Sequence, residues 1–182
     1  MLYIEITDID FRQLKTIENN AFEGCSKLSE IILPDNITYI GKWAFNECYE
    51  LTSIELPSNL EIIENYLFNN CSKLEKIELP DGITAIEPYT FNKCASLSEI
   101  NLPDNIQSIG QEAFYGCAKL ENITLPKHLK RIEYRAFNST RIKTLVIPEE
   151  VNYIGDASFS LCENLESVKI LSNNITFDGY SF

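Results

Sequence analysis

Apolar and polar positions alternate along this chain on a fixed clock. In Leu28-Ser29-Glu30-Ile31-Ile32-Leu33-Pro34-Asp35-Asn36-Ile37-Thr38-Tyr39-Ile40-Gly41-Lys42-Trp43-Ala44-Phe45-Asn46-Glu47-Cys48, apolar residues fall at 28, 31, 33, 37, 40, 44 and 45. Phe recurs at 22, 45, 68, 91, 114, 137, 159 and 182, five steps of 23, one of 22 and one of 23, and Pro keeps the same time at 34, 57, 80, 103, 126 and 148. The pair Ile31 and Leu33 returns as Ile54 and Leu56, Ile77 and Leu79, Ile100 and Leu102, Ile123 and Leu125, Leu145 and Ile147, and Val168 and Ile170. Alternation over so short a run predicts a half-buried strand.

Proline directly after the pair has no N–H to donate and a fixed φ, so each strand is expected to stop there, and Asp-Asn, Ser-Asn or Asp-Gly then supplies a turn. Ile40, Ile63, Ile86, Ile109, Ile132 and Ile154 bring the chain back to the core ahead of Phe, which predicts a second short extended segment and a tight helical turn. One such unit cannot bury both its sides. Stacking copies about 4.8 Å apart sets each Ile, Leu, Phe and Cys on its counterpart. The expected fold is a repeat solenoid of the leucine-rich type, one short parallel strand per coil, mostly β and irregular structure with short helical turns. It fills a single domain over 1–182, with 1–20 as an irregular N-terminal cap in which Ile9 and Phe11 stand in for the strand pair. Repeats run over 21–182 and the last is truncated at Tyr180-Ser181-Phe182, as in a segment of a longer solenoid.

Ile-x-Leu-Pro, a turn, Ile-Gly-x-x-Ala-Phe and Cys-x-x-Leu together resemble the BspA-type leucine-rich repeat of bacterial surface proteins and some protozoa. That resemblance implies a secreted or cell-surface protein that attaches to host proteins or extracellular matrix. The start, Met1-Leu2-Tyr3-Ile4-Glu5-Ile6, has neither the basic segment nor the apolar run of a signal peptide, which points to an intracellular protein if the chain is complete.

Charge narrows the partners. With 15 Lys and Arg against 27 Asp and Glu, a net charge of −12 repels nucleic acid and anionic lipid, and no run approaches the length of a membrane span. Chemistry finds little footing. The six Cys have one His in the chain to act as a base, His128, in the turn after Pro126. They are spaced one per coil, with no Cys-x-x-Cys pair for zinc. Disulfides between neighbouring coils stay open on distance alone, but side chains pointing the same way favour reduced thiols packed as small hydrophobes. Neither an enzyme nor a cofactor is expected.

Two surfaces remain as candidate protein-binding sites. Alternation turns Glu30, Glu55, Glu78 and Glu99 outward in four successive coils, as a solvating face or as a recognition surface. Trp43, Tyr66 and Tyr89 fall two residues before Phe in three successive coils, so they are expected to stack, with Tyr39 and Ile62 beside them. Such a ladder either shields the core Phe rings or offers an apolar patch to a partner. The sequence reading is therefore a non-catalytic protein-binding module resembling cell-surface adhesion or host- and matrix-binding repeats, with a structural spacer of a longer repeat protein or an intracellular interaction scaffold as the alternatives.

Overall fold

The computed structural model describes residues 13–182, so Ile9, Phe11 and the rest of 1–12 lie outside the described residues. Each repeat lays down one coil with two extended segments. The strand that precedes Pro forms a front series: β2 (Glu30–Ile32), β4 (Ser53–Glu55), β5 (Lys76–Glu78), β7 (Glu99–Asn101), β10 (Thr144–Ile147) and β12 (Ser167–Ile170). The return segment forms a second series: β1 (Thr16–Ile17), β3 (Tyr39–Ile40), β6 (Ala85–Ile86), β8 (Ser108–Ile109), β9 (Arg131–Ile132), β11 (Tyr153–Ile154) and β13 (Thr176–Phe177). Every pairing is parallel and joins a residue to its counterpart about 23 positions on, as in Ile31 with Ile54 and Ile109 with Ile132. Within the segment 1–20, Thr16–Ile17 already pairs with Tyr39–Ile40.

Proline limits the front strands as its missing donor requires, though β2, β4, β5 and β7 stop one residue sooner and only β10 runs up to its Pro. Before Pro126 no strand forms, although Ile123 still packs on the core. Val168 and Ile170 depart from the expected burial, because no coil covers their side of β12.

The helical turn is a run of four-residue turns rather than a helix. Ala44, Asn46 and Cys48 donate back to the carbonyls of Gly41, Trp43 and Phe45, while the alternate residues Trp43, Phe45 and Glu47 donate to Asn65, Leu67 and Asn69 of the next coil. Sending every second N–H outward forces two left-handed residues into each coil, for example Trp43 (φ 57°) and Glu47 (φ 59°), then Tyr66 (φ 60°) and Asn70 (φ 61°). Side chains in that region cost about 1–2 kcal/mol each, which the intercoil bonds offset.

The core behind these turns is a column of Phe rings stacked at 5.1–5.7 Å from Phe22 to Phe182. Each fully buried ring contributes about 1.5–3 kcal/mol. Beside it runs the Cys column, whose thiols donate to the Phe carbonyl of the preceding coil: Cys48 to Phe22, Cys71 to Phe45, Cys94 to Phe68, Cys117 to Phe91 and Cys162 to Phe137, at 3.1–3.3 Å. Thr140 takes the Cys place in the Phe137 coil and lies 3.2 Å from the Cys162 sulfur.

Candidate functional site

The four front carboxylates do not form one row. Register pairs Glu30 with Ser53 and Ile32 with Glu55, and Lys76 with Glu99 and Glu78 with Asn101. Glu55 and Glu78 therefore share one outward column with Ile32, which is 76% exposed, while Glu30 and Glu99 sit in the other column with Ser53 and Lys76 between them. All four are exposed. The front face is a mixed polar surface with a single adjacent acidic pair.

On the return side the aromatic residues come together. Trp43 stacks on Tyr66 at 5.2 Å and Tyr66 on Tyr89 at 4.4 Å, with rings within 19° of parallel. The left-handed backbone at these three positions swings the rings out of the coil; each is half-buried, with Tyr66 stacked on both faces and Trp43 and Tyr89 each on one. At the end of the ladder the Tyr89 hydroxyl accepts from Gln111 Nε2 at 2.5 Å. Beyond Tyr89 the column turns polar with Glu112 and Arg135. The row before it does the same: Arg131 lies over the Tyr153 ring at 4.1 Å and pairs with Glu133 at 2.7 Å.

Tyr39 and Ile62 lie on the same side but line a separate cleft of about 540 Å³, together with Thr38, Ser58, Asn59, Leu60, Glu61 and Gly82. Glu64 joins the two features. Its carboxylate accepts from the Tyr39 hydroxyl at 3.4 Å, and it stands one coil from Glu87. Burial, then the charge of Glu64, holds the Glu87 carboxyl above its ordinary range, partly offset by Lys42. Burial and Glu64 likewise raise the Tyr39 hydroxyl.

The cleft is what the sequence reading missed, and a signal for it was present. In the turn column Asn36, Asn59 and Asn105 donate from their side-chain amides to the Leu14, Asp35 and Asp81 carbonyls of the coil before. Gly82 stands in that column with no side chain to do so.

Five of the six thiols are held away from solvent, while Cys25 is half-buried. Cys48, Cys71, Cys94, Cys117 and Cys162 are buried, their sulfurs are engaged with Phe carbonyls, and burial raises every one of them, Cys48 to about 12. His128 is exposed and sits 2.9 Å from Glu150. Among the described residues no group of three His, Cys, Asp or Glu is placed to hold a metal, and no helix is long and apolar enough to cross a membrane.

A family model for the BspA-type leucine-rich repeat region matches in six copies over residues 2–97 and 84–182. The chain belongs to this family. Among solved structures, one similar to this chain is a leucine-rich cell surface protein of Faecalibacterium prausnitzii, 30% identical with a TM-score of 0.80 over 87% of this chain. The leucine-rich repeat protein of T. pallidum is 30% identical with a TM-score of 0.77 over 82% of this chain and 73% of its own. One from Eubacterium ventriosum is 31% identical with a TM-score of 0.65 over 71% of this chain and 35% of its own. This chain spans 43% of the F. prausnitzii protein. No curated protein matches it.

Proposed function

We propose that this BspA-type solenoid is a non-catalytic protein-binding module displayed at a cell surface, and that the return side of the Phe45, Phe68 and Phe91 coils is its contact face. The observation that carries this reading is the local apolar surface there: the half-exposed edge of Trp43, Tyr66 and Tyr89 beside Ile62, which is 53% exposed. Aromatic residues next to exposed aliphatic surface are typical anchors of protein interfaces. The description of the F. prausnitzii relative as a cell surface protein supports the compartment. The net charge of −12 disfavours nucleic acid.

The test replaces Trp43 and Tyr66 by Asn, which Asn20 already places in this left-handed column at φ 63°. Immobilised wild type and double variant are each exposed to serum and matrix extract. A protein recovered by the first and lost by the second, with the melting temperature nearly kept, supports the reading. Equal recovery with a large fall in melting temperature leaves the ladder as a shield for the core.

A structural spacer in a longer repeat array is the second reading. Val168, Ile170, Leu171, Phe177 and Phe182 are 36–47% exposed on one face, a surface suited to receive a further coil in register.

A further inference from the structure

The return ladder is interrupted at one coil. Across it, Thr38 and Gly41 donate to Lys15 and Ile17, and the same pair of bonds recurs from Gln107 and Gly110 to Thr84 and Ile86, from Lys130 and Glu133 to Gln107 and Ile109, and from Asn152 and Gly155 to Lys130 and Ile132. The counterparts at the Phe68 coil are missing on both sides. Among the described residues, neither Glu61 and Glu64 nor Thr84 and Glu87 donate a backbone bond to the coil before, and Glu61–Glu64 form no strand. Those N–H groups and the carbonyls of Thr38, Ile40, Glu61 and Ile63 are left without the ladder partners their counterparts have.

The gap coincides with the cleft of about 540 Å³ lined by Tyr39, Asn59, Ile62 and Gly82. Its volume lies within the roughly 300–1,000 Å³ typical of ligand sites. Gly82 contributes to the opening by lacking the Asn side chain that elsewhere ties a turn to the preceding coil. Exposed Glu61 and Ile62 line it; half-buried Glu64 stands beside it, accepting from the lining Tyr39 hydroxyl, and half-buried Glu87, one coil on, lies near enough to feel the charges of Glu64 and of Lys42.

We propose that this cleft receives an extended segment of a protein partner, alternating apolar and basic residues, whose main chain takes up the vacant ladder groups while its Lys or Arg side chains meet Glu61, Glu64 and Glu87. Unpaired strand groups give main-chain affinity without sequence preference, side-chain contacts on alternate residues give selectivity, and the carboxylates select the basic sign. This deepens the protein-binding reading and rests on it.

The probe is a blocked hexapeptide alternating valine and lysine, titrated into the full chain and followed by calorimetry and by the backbone amide resonances of Glu61, Glu64, Thr84 and Glu87. Saturable binding that shifts these amides is expected. A glutamate-for-lysine peptide, or one N-methylated on alternate residues, binds at least tenfold more weakly. Ile62→Lys and Glu61→Lys, both at exposed positions, weaken binding at least tenfold, and Gly82→Asn weakens it by restoring the missing tie. Absence of saturable binding, equal binding of the acidic or N-methylated peptide, or shifts centred elsewhere overturns the proposal. If the peptide fails while the Trp43 and Tyr66 double variant still loses its surface partner, only the cleft assignment falls. If the peptide binds at these amides while the double variant recovers the same proteins, the cleft stands and the ladder reading falls.

Discussion

Single residues in this fold are fixed by what lies one coil above and one coil below. Phe91 is fully buried between Phe68 at 5.7 Å and Phe114 at 5.4 Å, so truncation leaves a cavity walled by two rings that are themselves stacked and cannot close it. Phe91→Ala is expected to cost about 3–5 kcal/mol in urea denaturation; a cost below about 1 kcal/mol is incompatible with a buried column. The thiols carry a pH signature. Cys71, Cys94 and Cys117 have their ionisation pushed up by burial, Cys71 and Cys94 further by the next thiol in the column. A raised folded pKa means that the native state holds its protons after the unfolded chain, near pH 8.5, has begun to lose them. Their contribution to stability is thus complete below that pH and declines as pH rises above it, by about 1.4 kcal/mol per pH unit for each thiol. The urea midpoint is expected to fall between pH 8 and pH 10. Replacing Cys94 by Thr, the residue Thr140 supplies in the same column, should flatten that fall. At pH 7 the same thiols should resist alkylation until the chain unfolds.

At the scale of the coil, two glycines separate the two reasons for having one. Gly116 sits at φ 68° with its nearest neighbour, the Lys93 side chain, 3.7 Å from where a Cβ would be, so Gly116→Ala should cost only the left-handed penalty of about 1–2 kcal/mol. Gly110 has ordinary φ, but a Cβ there would lie 2.6 Å from the Pro88 nitrogen of the preceding coil. Since that backbone cannot retreat without loosening the stack, Gly110→Ala should cost more than Gly116→Ala; thermal denaturation of the two variants, showing the reverse order, would remove the close-approach argument. This contrast also marks how far the sequence could be read. Columns of like residues announce themselves, because stacking demands the same shape in each coil. Thus Phe, Cys, the front Ile-x-Leu pair and the aromatic ladder were legible before any coordinates. Two things were not. Outward position alone did not assign Glu30 and Glu55 to different columns, since they occupy different places in their strands and register decides what each one faces. Nor did the apolar and charged columns reveal the cleft, because the backbone bonds that fail to form there leave no such pattern and the one sign of it is Gly82 in a turn column that Asn fills at 36, 59 and 105.

For the whole molecule, stability is a chain of nearest-neighbour terms, so it is set by the weakest junction rather than by a common core. That junction lies between the Phe68 and Phe91 coils. On the front, Ser53–Glu55 and Lys76–Glu78 belong to separate two-stranded sheets, and on the return side neither Thr84 nor Glu87 donates across. What holds the two coils is the corner, where Tyr66, Phe68 and Asn70 donate to Pro88, Thr90 and Asn92, together with the bonds from Glu75 to Thr52 and from Ser96 to Ser72, the Tyr66–Tyr89 stack and the Phe and Cys columns. Farther along, β6, β8, β9, β11 and β13 run as one continuous return ladder through the remaining coils. A solenoid with one poorly bonded junction next to a well-bonded block should open at that junction before it unfolds as a whole. Native-state hydrogen exchange reads this directly. The amides of Glu61, Glu64, Thr84 and Glu87 are expected to exchange at least a hundredfold faster than those of Gly110, Glu133 and Gly155, which donate across an intact ladder at 2.8–2.9 Å. The corner amides of Phe68 and Asn70 should fall between the two groups, since their bonds break only when the coils separate. Filling the cleft mouth with Gly82→Asn should slow exchange at Thr84 and Glu87 and leave Gly155 unchanged. Uniform protection along the chain would mean that the corner bonds and the Phe column alone make the junction as strong as its neighbours.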